Sequence, residues 1–255
     1  MPDLEAVLRA RRDAGGRLFI PYVTGGYPEV DASLLRAIQE AGADAIEVGI
    51  PFSDPVMDGG VIQEASRLAL EAGARPGDIL ATIAEAALDV PVAVMTYVNP
   101  VYRHGFEAFL ADARRAGVAG IIVPDLPVDE AVEWTAACAG HGIASVQLAA
   151  PGTSDDRLAW IAKASSGFLY CVATYGVTGV RDELAGTARQ LIDRLRPITD
   201  LPLVVGVGVG TPAQATEVGS FADGAVVGTA LMAKLLEGDR EGLLGLIAAF
   251  RAALP

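Results

Sequence analysis

Glu47 is the residue of this chain whose setting most favours chemistry. It sits inside the apolar run Ala45-Ile46-Glu47-Val48-Gly49, which opens into Ile50-Pro51-Phe52-Ser53-Asp54-Pro55-Val56-Met57-Asp58-Gly59-Gly60, a loop with two further carboxylates. Burying a carboxylate without a partner costs several kcal/mol or forces its pKa upward. A raised pKa is what a proton donor at neutral pH requires. The alternative, a Glu47 that faces outward and pairs with a surface Arg, finds little polar surface among the flanking Ala, Ile and Val. Asp54 reads as a brace that accepts backbone N–H groups in an Asx turn, and Asp58 reads equally as a loop brace or as a second carboxylate dividing acid and base work with Glu47. Asp125, in Val123-Pro124-Asp125-Leu126-Pro127, reads as a loop or wall residue rather than a catalyst.

A second chemistry recurs late in the chain. Gly176-Val177-Thr178-Gly179, Gly206-Val207-Gly208-Val209-Gly210-Thr211 and Gly228-Thr229 each follow or end an apolar run. Glycines let backbone N–H groups approach an anion closely, and Thr229 at a helix start adds a hydroxyl where the helix dipole favours negative charge. Singly, each glycine makes a tight turn; together they describe a phosphate site. His104 and His141 are far apart, and His141 before Gly142 reads as a helix-end residue satisfying the last carbonyls. No Ser-His-Asp order, HExxH or Cys/His cluster appears, so the residues support acid/base chemistry on a small phosphorylated molecule.

Positioning these groups requires a scaffold, and the apolar pattern supplies one. Short Val- and Ile-rich runs at 18–23, 45–49, 92–96, 120–123, 144–148, 168–172, 203–207 and 225–228 alternate with helical patterns at 32–40, 62–72 with 77–87, 106–116, 128–141, 154–164, 185–196, 212–218 and a split segment 230–254. That alternation marks a parallel sheet covered by helices. Eight strand–helix units in 255 residues make an α/β chain with a single (β/α)8 TIM barrel spanning 1–255, whose active site lies at the carboxyl ends of its strands. A doubly wound sheet would place G-x-G-x-x-G after its first strand; Thr24-Gly25-Gly26-Tyr27-Pro28 lacks that spacing. An extra N-terminal helix over 4–13 is placed to cover the bottom of the barrel.

Composition excludes several classes. A net charge of −13 leaves no basic stripe for nucleic acid. An anionic substrate must then be held by local backbone and helix-terminal devices against a repulsive overall field. The two cysteines, Cys138 and Cys171, fall in helical and strand patterns as small core residues, which suits a reducing compartment. With no secretory pattern at the start and no apolar span of membrane length, the expectation is a cytoplasmic protein. Lys163 and Lys234 are the only lysines and neither lies at an expected strand end, which removes most Schiff-base routes.

Taken together, Phe19-Ile20-Pro21-Tyr22-Val23-Thr24-Gly25-Gly26, the block from Ala41-Gly42-Ala43-Asp44 into Glu47-Val48-Gly49-Ile50-Pro51-Phe52-Ser53-Asp54-Pro55, Asp125-Leu126-Pro127 and Gly176-Val177-Thr178-Gly179 closely resemble the tryptophan synthase alpha subunit family. The resemblance covers nearly the whole chain. It implies a barrel that cleaves indole-3-glycerol phosphate to indole and glyceraldehyde 3-phosphate by a retro-aldol reaction. Glu47 would be the acid/base at indole C3 and the glycerol hydroxyl, and Asp58 would accept the indole N–H. Tyr170 matches the tyrosine that orients the catalytic Glu, and Gly179, Gly208, Gly228 and Thr229 match the phosphate cradle. It further implies closing loops at 51–60 and 173–184, no cofactor in this chain, and pyridoxal phosphate only in a partner beta subunit of an α2β2 heterotetramer. Thr174-Tyr175 and Gly60 depart from the best-known members, where Arg and Pro are common. Other expectations remain in view: an activating subunit with little turnover, a lyase acting alone, or an isomerase barrel. The last would place Asp at the first and fifth strand ends, where this chain has Tyr22-Val23 and Gln147-Leu148.

Overall fold

The computed structural model describes residues 2–173 and 181–255. The Val- and Ile-rich runs form eight parallel strands that close into a barrel in sequence order: β1 Leu18–Thr24, β2 Ile46–Gly49, β3 Val92–Met95, β4 Val118–Ile122, β5 Ala144–Ala149, β6 Leu169–Val172, β7 Leu203–Gly206 and β8 Gly224–Val227. Twelve helices occur among the described residues. They are α1 Leu4–Asp13, α2 Ala32–Glu40, α3 Gly60–Glu71, α4 Pro76–Ala86, α5 Val98–His104, α6 Phe106–Ala116, α7 Val132–Gly140, α8 Asp155–Ala164, α9 Arg181–Leu195, α10 Pro212–Gly219, α11 Thr229–Leu236 and α12 Arg240–Ala253. The expected (β/α)8 barrel is therefore the observed fold.

The differences are local and have physical causes. Helix α5 was not among the helical patterns of the sequence; its Pro100 lies in the first turn, where a missing N–H costs no helical bond. Helix α7 begins at Val132 rather than Val128, since Glu130 and Ala131 donate to Pro127 and Val128 in successive three-residue turns. Strand β7 stops at Gly206 because Val207 adopts φ 61°, outside any strand. His141 is the C-cap of α7, but its backbone N–H closes the helix while its ring Nε2 lies 3.0 Å from Glu107.

The base of the barrel is sealed as expected from α1. Asp3 caps this helix by accepting the Ala6 N–H, and its buried Leu4 enters the strand base where Gly120 and Gly167 leave room. A methyl group on either glycine would lie 2.5 or 2.9 Å from Leu4 Cδ2. Two carboxylates tie neighbouring strands at the same end. Asp44, before β2, accepts the Phe19 N–H of β1 at 2.8 Å and pairs with Arg251 at 2.6 Å. Asp223, before β8, accepts the Leu203 N–H of β7 at 2.7 Å and pairs with Arg196 at 2.8 Å. Each carboxylate, half-buried Asp44 and buried Asp223, thus has both a hydrogen-bond donor and a countercharge. The functional face is left to the opposite end.

Candidate active site

At the carboxyl ends of the strands the barrel opens into a cavity of about 430 Å³. Glu47, Asp58 and Tyr170 line it, as do Gly208, Gly228 and Thr229. Six of the seven residues singled out in the sequence therefore converge on one space; Gly179, with Thr174-Tyr175, lies outside the described residues.

Glu47 points into the barrel from β2 and is 1% exposed, and neither carboxylate oxygen has a hydrogen-bond partner among the described residues. Burial, and secondarily the nearby charge of Asp58, pushes its pKa up to about 8. The outward, Arg-paired alternative is overturned. Asp58 approaches from the β2–α3 loop, where burial pushes its pKa up to about 6 and a hydrogen bond from Tyr97 opposes the rise. It is a cavity carboxylate and also part of the loop's bonding, since Tyr97 donates to its Oδ2 at 3.2 Å. Asp54 does not form the expected Asx turn among the described residues: its side chain accepts the hydroxyl of the adjacent Ser53 at 2.6 Å and no backbone N–H. Asp125 accepts the first N–H of α5 from Val98 at 2.9 Å, a capping role at the cavity wall.

Two tyrosines frame Glu47 by one device used twice. Tyr22 of β1 is level with Glu47, and its hydroxyl lies over Gly49, where an added Cβ would be 2.1 Å from it. Tyr170 of β6 is level with Val204, and its hydroxyl lies over Gly206, where a Cβ would be 2.2 Å away. Each tyrosine reaches across the glycine that ends the next strand. Both phenols are pushed above their usual pKa, first by burial, and stay neutral hydrogen-bonding groups. Sequence reasoning missed Tyr22 and Tyr97 as site residues. A strand-ending glycine beside a strand bearing a tyrosine was a usable signal for the first, whereas nothing local marks the second.

On the other side of the cavity the groups are mostly backbone. Helix α10 begins with a capping box, in which Thr211 accepts the Gln214 N–H and Gln214 Oε1 accepts those of Gly210 and Thr211. Helix α11 begins at Thr229 with Gly228 as an N-cap that carries no side-chain acceptor; the Leu231 N–H closes on the Gly228 carbonyl, and the N–H groups of Thr229 and Ala230 have no acceptor among the described residues. Gly228 belongs to this helix terminus rather than to β8. An N-terminus of this kind beside exposed Gly208 has the geometry and dipole direction that favour an anion. Val207 and Gly208 turn the chain there with φ of 61° and 110°, a conformation that strains the β-branched Val207 at the cavity rim.

One mouth of the barrel thus gathers a buried carboxyl, a second carboxylate and a helix N-terminus without a side-chain cap. The sequence profile of the tryptophan synthase alpha chain family matches residues 8–246. The chain belongs to the tryptophan synthase alpha chain family. It is 45% identical over 242 residues to the alpha chain of Streptomyces avermitilis, covering 93% of this chain and 87% of that one. A crystal structure of a TrpA mutant of tryptophan synthase from M. tuberculosis, in its ligand-free form, contains a chain that superposes with a TM-score of 0.90 at 38% identity, covering 100% and 99%. The tryptophan synthase alpha subunit of Legionella pneumophila gives 0.90 at 32% identity over 99% and 98%. Like its family, the chain is a carbon–carbon lyase that cleaves indole-3-glycerol phosphate in tryptophan biosynthesis.

Proposed function

We propose that Glu47 and Asp58 divide the proton chemistry of this cleavage. The carrying observation is the buried Glu47 carboxyl, unpartnered among the described residues and held protonated at neutral pH beside an ionised Asp58. Protonated Glu47 delivers its proton to indole C3, which places positive charge on the ring nitrogen. Asp58 accepts the N–H and stabilises that charge as it develops. The Glu47 carboxylate so formed takes the proton of the side-chain hydroxyl, the carbon–carbon bond breaks, and its electrons restore the indole ring as the aldehyde forms. One group gives and recovers one proton, so the cycle closes without a further acid.

Tyr170 walls and orients Glu47, and Gly208, Gly228 and Thr229 hold the phosphate, with Gly179 assigned to the same cradle. The uncapped α11 terminus supports this placement, because the net charge of −13 leaves the anion to local donors. The reading takes residues 1–255 as one barrel domain that needs no cofactor of its own. It assigns pyridoxal phosphate to a beta subunit in an α2β2 assembly, with the complex in the cytoplasm and no nucleic acid bound. Exposed Val56, Met57, Tyr102 and Val132 follow β2, β3 and β4 on the cavity side and give such a partner an apolar landing. No helix among the described residues is long and apolar enough to cross a membrane.

Glu47→Gln tests the assignment. The amide keeps the shape but cannot carry the proton, so indole release is expected to vanish while a non-cleavable indolyl phosphate still binds. Wild-type turnover by the variant would remove Glu47 from the mechanism. Indole release by the purified chain, alone and with a beta chain added, then separates a coupled subunit, slow alone, from a lyase fast by itself.

A further inference from the structure

Asp58 lies on a loop, yet its assigned task requires one oxygen fixed against one ring nitrogen. A loop side chain holds such a position only when surrounding groups lock it. Tyr97, which follows β3 and is the N-cap of α5, is 3% exposed and makes three contacts with that loop. Its hydroxyl donates to Asp58 Oδ2 at 3.2 Å and accepts the N–H of the preceding Met57 at 3.0 Å, so one atom holds both side chain and backbone. Its ring stacks on Phe52, where the loop begins, with centroids 5.0 Å apart. Behind it, Asp125 fixes Val98 and hence the backbone on which Tyr97 stands.

We propose that Tyr97 is the positioning residue for Asp58, its hydroxyl engaging Oδ2 so that Oδ1 is left to accept the indole N–H. This rests on the assignment of Asp58 as that acceptor. Oδ1 makes no hydrogen bond with the described residues, and the ring and hydroxyl of Tyr97 pin the two ends of the loop together. The hydroxyl also favours the ionised carboxylate, since a donor stabilises the charged form. The titratable groups around Asp58 are Glu47 from β2, Tyr22 from β1, Tyr170 from β6 and Tyr97 itself, with Asp125 acting on Tyr97 from behind. None of these is a cation. The Tyr97 hydrogen bond is what opposes the effect of burial on Asp58.

Tyr97→Phe removes the hydroxyl and keeps the ring. Indole release is measured against pH, with a tryptophan synthase beta chain added. The expected result is a kcat lower by about tenfold at pH 7, a KM within about twofold, and an acidic limb displaced upward by about one pH unit. Phe52→Leu, which loosens the ring contact and keeps the hydroxyl, is expected to lower kcat without moving that limb. An unmoved limb and wild-type kcat in Tyr97→Phe would overturn the proposal, as would an equal limb displacement in Phe52→Leu. Asp58→Asn separates this from the underlying assignment: wild-type turnover there would sink the role of Asp58 itself, whereas loss of turnover leaves it standing whatever Tyr97→Phe does.

Discussion

At pH 7 the carboxyls of Glu47 and Asp58 stand on opposite sides of their titrations, one near pH 8 and the other near pH 6. Cleavage needs the first protonated and the second ionised, so kcat/KM is expected to be bell-shaped, falling below about pH 6 and above about pH 8; a flat profile from 5 to 9 would refute the division of labour. The same burial acts against the fold. Folded Glu47 retains its proton up to about pH 8, whereas an unfolded glutamate loses it near its ordinary value, so the unfolded state binds fewer protons between them and stability falls as pH rises through that window. The loss is on the order of 5 kcal/mol. The melting temperature should therefore drop more from pH 5 to pH 8 in the wild type than in Glu47→Gln, as differential scanning calorimetry would read. Glu47 was legible because an acid within an apolar strand is chemically conspicuous, whereas Asp58, in a loop, read equally as a brace until the fold turned it into the cavity. Tyr97 was not legible, since a phenol becomes a positioning group only through partners that the fold supplies.

Elements place these residues through small clearances rather than large contacts. Gly49 and Gly206 end their strands because a tyrosine hydroxyl already occupies the space where a Cβ would stand. Gly49→Ala is expected to displace Tyr22, destabilise the protein by roughly 1–3 kcal/mol in urea unfolding and lower kcat/KM. At the other wall, Thr211→Ala removes one half of the α10 capping box and should cost about 1 kcal/mol, with little effect on KM because that terminus already satisfies its own N–H groups. Strand and helix types were readable from period and composition, and α2 and α6 begin and end where expected. Boundaries failed where a single backbone angle or turn decides them. Val207 in the left-handed region ends β7 early, and a pair of three-residue turns delays α7, neither of which leaves a mark in hydrophobic pattern.

The whole molecule is strongly acidic, while its substrate is an anion. Its net charge of −13 slows the approach of a phosphate ester until salt screens the field, so KM is expected to fall as ionic strength rises from about 10 to 150 mM, where the Debye length shortens from roughly 30 to 8 Å. A KM that rises over that range would show local attraction dominating. Closure of the barrel follows from eight units and needed only counting, but the role of α1 depends on two glycines far apart in sequence that admit the same leucine. Leu4 fills the floor beneath the strands, and this makes the cavity a blind alley. Substrate, aldehyde and indole are therefore confined to the carboxyl-end face of the barrel, above the closed floor. Whatever stands on that face decides where indole goes next.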